Sequence, residues 1–353
     1  MTLFLLRLNI ILLLLTLFIP EAVSQNGFRV MFYNVENLFD THDEPLKNDN
    51  DFLPDGLMRW TNWKYKKKQS NITKVITAVG GMQSPALVGL CEVENDSVLI
   101  DLTKRSPLRA QEYEFIISNS PDERGIEVAL LYQRHQFKLL EDTEYEIIFS
   151  DKNKRPTRNI LHAVGTIVNG DTLDVFVCHF PSRVSGRIET EQARIESAKV
   201  LRTKVDSLLS ARTNLNLIIM GDFNDSPNDK SLRDILKANE MKSKYIKEGS
   251  ESRKQLYNLL YRKNKDTDYG TYKYKGVWTI NDHLIVNGNL LNEESNIKVK
   301  LNKSYIYKKD FLLEVDEKYY GKKPYRTYVG PRYIGGFSDH LPIFMDLIIN
   351  NAE

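Results

Sequence analysis

The chain has 353 residues, 41% of them hydrophobic and 27% charged, with a formal net charge of +2. That length suits one large domain or two small ones, and a charge so near neutrality neither demands nor rules out a nucleic-acid partner. Its two cysteines, Cys91 and Cys178, lack zinc-ligand spacing, which excludes a structural zinc site.

The chain opens with a segment that reads as a targeting signal. Arg7 precedes an apolar run from Ile10 to Ile19, interrupted only by Thr16, and Ala22-Val23-Ser24 follows as a small-x-small cleavage pattern. A spanning helix needs roughly 20 apolar residues, so the run is short for a membrane anchor. No cysteine follows for a lipid anchor. Residues 1–24 are therefore expected to be a signal peptide, with export to the periplasm or the exterior. The mature chain starts near Gln25 and forms one domain over residues 25–353, because the candidate functional residues span nearly its whole length.

Apolar runs at Phe28 to Tyr33, Ala86 to Cys91, Leu173 to Cys178 and Leu215 to Met220 read as strands. Strand alternation turns Cys91 and Cys178 away from Glu92 and His179. Two buried free thiols are favoured over the disulfide that export would permit. Asp40 to Asp55 lacks EF-hand spacing and reads as a solvated loop. From Asn62 to Val79, Ile72, Val75, Ile76 and Val79 recur at helical spacing, and Gly80-Gly81 ends the helix. A second helix is expected from Glu189 to Leu209, with Ile195, Ala198, Leu201, Val205 and Leu208 on one face. Val128 to Tyr132, His162 to Val168 and His283 to Val286 read as paired strands, the middle one closed by an Asn169-Gly170 turn. Strands alternating with helices in this way predict a mixed α/β architecture.

Short polar islands follow the strand-like runs: Asn34 with Glu36, Glu92, Gly221-Asp222-Phe223-Asn224, and Ser338-Asp339-His340. With His179 and Asp282 they predict one acidic, water-activating site, since strand ends at one sheet edge gather such groups. Asn34, Glu92 and Asp339 offer hard oxygen ligands suited to magnesium, with manganese or calcium as alternatives. Alternation along Asp222-Phe223-Asn224 places the carboxylate and the amide on one side, where they can hold a water or a phosphoryl group. His179 and His340 have the pKa for proton transfer near neutrality, and Asp282 is available to fix an imidazole tautomer.

This constellation resembles the endonuclease/exonuclease/phosphatase superfamily, which includes deoxyribonuclease I-like enzymes, abasic-site endonucleases, sphingomyelinases and inositol polyphosphate phosphatases. The resemblance is carried in order by Tyr33 to Phe39, Gly89 to Asn95, Thr157-Arg158, His179 to Ser182, Gly221 to Asp225, Asn281 to Val286 and Ser338 to Pro342. It implies a four-layer α/β sandwich, two packed mixed β-sheets flanked by helices, with the site at one end. It also implies roles. Glu92, Asn34 and Asp339 would hold the metal, Asp222 and Asn224 would position water and phosphate, and His340, oriented by Asp282, would handle the proton. His179 and Arg158 would bind phosphate oxygens, and Glu127 would orient His179.

The implied activity is metal-dependent phosphoric ester hydrolysis by a monomer. Nucleic acid, DNA or RNA, is the leading substrate, and a small or lipid-linked phosphate is the alternative. Glu94 stands where deoxyribonuclease-like relatives carry a basic residue that reaches DNA, and so counts against DNA. The basic, tyrosine-rich run from Tyr319 to Tyr333 is expected to form a substrate-facing wall, and Lys64 to Lys68 a solvated face. Tyr269, Tyr272 and Tyr274 either stack on substrate or pack within the fold. A catalytically dead binding protein is disfavoured, because no expected ligand or histidine is missing.

Overall fold

The computed structural model describes residues 27–241, 250–261, 268–301 and 305–350. The run read as a signal peptide lies outside them. Among the described residues no helix is long and apolar enough to cross a membrane.

The apolar runs form two mixed sheets. The first runs in spatial order β14 (Ile297–Lys300), β19 (Ile343–Ile349), β1 (Phe28–Leu38), β2 (Leu87–Val93), β4 (Glu127–Gln133) and β3 (Tyr113–Ile117). The second runs β5 (Phe137–Tyr145), β6 (Ile160–Ile167), β7 (Thr172–His179), β8 (Leu217–Asp222), β13 (Asp282–Asn287), β10 (Leu256–Asn258) and β9 (Ala238–Glu240). The β1–β2 and β7–β8 pairs at the heart of the sheets are parallel. Three ribbons lie outside the sheets: β11 (Tyr272–Tyr274) with β12 (Val277–Thr279), β15 (Leu313–Val315) with β16 (Lys322–Pro324), and β17 (Tyr328–Val329) with β18 (Arg332–Tyr333).

The sheets face each other through one apolar core that includes Phe32, Val175, Val177, Met220 and Leu284. Gly89 permits the close approach, since a Cβ there would stand 2.9 Å from the Met220 sulfur. The helix Asn62–Gly80 buries Ile72, Val75, Ile76 and Val79 beside the first sheet. On the second sheet, the helix Glu191–Ala211 covers Phe176, Ile219 and Ile285 with Ala198, Leu201, Val205 and Leu209. Each valine, leucine or isoleucine among them contributes about 1.5–3 kcal/mol on full burial. Helix, sheet, sheet and helix make the four-layer sandwich expected from the sequence.

Local outcomes follow from packing. Asn169-Gly170 does close the β6–β7 hairpin, with Gly170 at a φ of 87°. Cys91 and Cys178 are buried, unbonded thiols. The 40–55 loop is not wholly solvated: Asp49 is buried and accepts the Glu44 N–H. Nor is Lys68 part of a solvated face. It is 1% exposed and donates to Thr327 Oγ1 at 2.6 Å and to the Phe337 carbonyl at 2.7 Å.

Strand register sets the site. Asp222 at the end of β8 lies opposite His179 on β7 and opposite Asp282 on β13, so three polar residues stand in a row at one sheet edge. The strands come together so closely there that a Cβ on Gly221 would lie 2.3 Å from the Cys178 carbonyl oxygen. Backbone cannot yield as a flexible side chain does. Gly221→Ala is therefore expected to lower unfolding free energy by about 2–4 kcal/mol in urea titration; a change below about 0.5 kcal/mol would contradict this packing.

Candidate active site

Four site residues hold left-handed backbone without being glycine: Glu36 (φ 54°), Asn37 (φ 55°), Glu92 (φ 63°) and Asn224 (φ 50°). This region is sparsely populated for side chains with a Cβ, least uncomfortably for asparagine. Two of these kinks coincide with register breaks, between Asn34 and Leu38 on β1 and between Cys91 and Val93 on β2. Such bulges re-aim side chains at strand ends.

The kinks bring the islands together. Asn34 Nδ2 donates to Glu92 Oε1 at 3.2 Å and to Asp222 Oδ2 at 3.0 Å, bracing two carboxylates from different sheets. The Asn37 N–H donates to Glu92 Oε2 at 2.9 Å. Ser338 donates to the Asn34 carbonyl at 2.7 Å and accepts the His340 N–H at 3.1 Å, which ties the last island to the first. His340 Nδ1 lies 2.7 Å from Asp282 Oδ2, as its assigned orienting role requires. That bond leaves Nε2 facing Asp222 Oδ2 at 3.7 Å. His179 Nε2 faces the same oxygen at 3.8 Å and Glu92 Oε1 at 3.9 Å. Each gap is too long for a direct hydrogen bond and suits a bridging oxygen atom.

Burial and charge set the protonation states. Burial pushes Asp222 up to about 7, with Asp282 adding to the effect and His340 opposing it. At His340 burial disfavours the charged ring, but Asp282 and Asp222 outweigh it and hold the imidazole well above its ordinary range. His179 moves the other way, through burial and then Arg158, Arg124 and His340, so it is neutral. Its Nδ1 is buried without a partner.

Three expectations are corrected. Glu127 does not orient His179: it lies on β4 in the first sheet, where its carboxylate accepts from Ser118 and Ser120. Asn224 does not continue the strand alternation. β8 ends at Asp222, and the Asn224 N–H bends back to Asp222 Oδ1 at 2.8 Å while its side chain donates to the Phe180 carbonyl at 3.1 Å. Glu94 does not face a substrate path. It is 5% exposed, accepts the Asp40 N–H at 2.6 Å, and is pushed up to about 8 by burial.

Arg158 lies buried behind Phe180, donating to its carbonyl at 2.8 Å and to Asp122 at 3.2 Å, with Nε unpartnered. Asp339 stands 3.1 Å from Arg326, which also donates to Glu36 at 3.1 Å. Arg326 belongs to the basic run expected to form a wall, but charge clustering alone could not single it out. Tyr272, half-buried, packs its ring 4.9 Å from that of His340 and so stands beside the site. Asp122 was missed, because nothing marks a loop carboxylate in sequence. A concavity of about 860 Å³ around Asp174, Arg212 and Asn216 lies at the opposite strand ends and holds none of the expected site residues.

The donor set fits a hard divalent cation. Glu92 and Asp339 supply carboxylates that retain some exposure, and Asp222, Asp282 and His340 bring three more ligand atoms within 4.8 Å of one another. Asn34 fits the ligand role least well in this arrangement, since its Oδ1 accepts the Glu36 N–H at 3.0 Å.

A buried Asp–His pair, a second imidazole and a carboxylate-rich pocket at one end of a sheet sandwich are the parts that metal-assisted hydrolysis of a phosphoric ester needs. The chain belongs to the Endonuclease/Exonuclease/phosphatase family, whose model matches residues 29–348. Solved structures share the fold. Danio rerio TDP2 complexed with a single-strand DNA product is similar at 14% identity and a TM-score of 0.54, over 91% of this chain and 98% of that one. The mannosyl-6-phosphatase Bt3783 of Bacteroides thetaiotaomicron is similar at 18% identity and a TM-score of 0.51, over 91% and 100%. The catalytic domain of human Nocturnin with bound sulfate gives 14% identity and 0.53, over 91% and 94%. No curated protein sequence matches the chain.

Asp282→Asn keeps the shape of the pair but removes the charge that favours His340 protonated. It is expected to lower kcat on a generic phosphodiester by about 10²–10⁴-fold, whereas Glu127→Gln stays within about threefold because it touches neither imidazole. Equal losses in the two variants would refute the assignment of Asp282.

Proposed function

We propose that the chain is an exported, metal-dependent phosphoesterase that cleaves phosphodiester bonds in nucleic acid, acting as a single-domain monomer. The observation that carries the reading is the convergence of two imidazole Nε2 atoms on one Asp222 oxygen at 3.7 and 3.8 Å. A water or phosphoryl oxygen placed there meets a carboxylate base and two ring nitrogens at once.

Asp222 orients the attacking water and, with its pKa pushed up to about 7, accepts a proton from it near neutrality. His340, charged and held by Asp282, donates toward the oxygen that leaves. Neutral His179 and the Arg158 guanidinium behind it favour the charge that builds on the phosphoryl oxygens. Glu92 and Asp339, with Asn34 beside them, are the residues that would hold magnesium, which supplies a Lewis acid for a phosphate oxygen.

The inward turn of Glu94 removes the sequence-based objection to DNA, because that carboxylate serves the backbone at Asp40. The fold alone does not choose a substrate, since it is shared with a DNA-bound protein and with a sugar phosphatase. The experiment that chooses is nicking of supercoiled plasmid by the mature chain in magnesium. Nicking that chelator abolishes and that falls at least 100-fold in His340→Ala is expected. Intact plasmid alongside turnover of a phosphomonoester would move the assignment to a phosphatase.

A further inference from the structure

Beside the reaction centre lies a cavity of about 190 Å³ that the mechanism does not use. It is bounded by the strained pair Glu36 and Asn37, by Phe52 and Met58 from the 40–60 segment, and by Arg326 and Tyr328. The volume is well below the 300 Å³ or more of a pocket for a drug-sized ligand, so it suits one ring system.

Its walls differ in chemistry. Phe52 stacks on Phe39 at 4.4 Å, and the Tyr328 ring is fixed by Trp60 and by a hydrogen bond from its hydroxyl to the Met58 carbonyl at 2.9 Å. Together with the Met58 side chain they make a rigid, largely apolar surface of the kind that holds a flat ring. The opposing edge is polar. The Asn37 main chain is spent on Glu92, but its side-chain amide has no hydrogen bond to any described residue. The Arg326 guanidinium uses Nε on Glu36 and Nη2 on Asp339, leaving the Nη1 pair of N–H groups without a described partner. Glu36 is not available to a ligand, because its second oxygen accepts the Thr327 N–H at 2.6 Å.

An amide that offers a donor and an acceptor, beside a guanidinium with spare donors and across from apolar walls, matches the edge and faces of a nucleobase. Asn37 also ties this cavity to the reaction centre, since its N–H holds the Glu92 carboxylate. We propose that the cavity is a nucleobase subsite that seats the base next to the scissile phosphate, with Asn37 and Arg326 reading its edge. This rests on the nucleic-acid reading of the site. A bare pentose phosphate would leave both the apolar walls and the amide without a partner, and the subsite therefore discriminates by the ring.

The test is calorimetry on the mature chain in magnesium, comparing adenosine 5′-monophosphate with ribose 5-phosphate. The nucleotide is expected to bind at least tenfold more tightly. Met58→Trp, which fills the cavity, and Asn37→Asp, which tolerates the left-handed backbone but replaces the amide donor, should each cut that advantage below threefold. Equal affinities in the unmodified chain, or an advantage retained in both variants, would overturn the subsite, as would tighter binding of mannose 6-phosphate than of the nucleotide. Plasmid left intact with the nucleotide preference present would sink the substrate reading and leave the subsite standing; nicking without the preference does the reverse.

Discussion

Asp222 is a carboxylate 1% exposed, placed where strand register allows it no retreat. Taking such a group out of water costs several kcal/mol unless it is neutralised or bonded. Its neighbours are arranged around that cost. Asn34 donates to one oxygen and the Asn224 N–H to the other, while the two imidazoles stand near enough to share its charge without quenching it. The result is a carboxylate balanced near neutrality, pushed up to about 7 by burial. A buried aspartate paired with arginine would be inert as a base; this one is kept basic.

Strain is the second part of the construction. Glu36, Asn37, Glu92 and Asn224 are all left-handed, and each such residue costs of order 1–3 kcal/mol. They persist because hydrogen bonds over-determine them. Glu36 is pinned by Arg326 and Thr327, Glu92 by Asn34 and Asn37, and Asn224 by Asp222 and Phe180. Beneath them, Lys68 is buried and drawn down to about 8 by that burial, although Glu36 and Asp339 oppose the shift. It fastens the segment before Ser338 to the first helix through Thr327 and Phe337. The stability that supports this end of the molecule comes from the apolar core between the sheets.

The four layers and the central strands were legible because hydrophobic period and turn residues point the same way: apolar runs end in polar islands, and Gly80-Gly81 and Asn169-Gly170 stop and turn the chain where expected. The Asp282–His340 pair was legible because an imidazole that moves protons needs a carboxylate to hold it. The failures have separate causes. Asn224 was placed by strand alternation, which does not hold past the end of β8, where Asn224 itself is left-handed; Glu94 was placed by the family resemblance, and beyond the left-handed Glu92 and its register break its carboxylate turns inward to the Asp40 N–H. Glu127 failed because sequence spacing does not reveal that Ser118 and Ser120 take up its carboxylate. Lys68 and Arg326 were hidden for another reason, since charge alone does not separate them from the other basic residues of their runs and only tertiary packing selects one member of each.

The proposed function carries one mechanistic claim above the rest: water would attack phosphorus directly, in a single step, with no enzyme nucleophile. Asp222 is braced by two donors, and both imidazoles face it through one nitrogen. The most direct test is the stereochemical course of hydrolysis of a chiral phosphorothioate diester in oxygen-18 water under single-turnover conditions. A single in-line displacement predicts inversion at phosphorus with one labelled oxygen in the phosphorothioate monoester product. Retention of configuration, the mark of a covalent intermediate, would contradict the account.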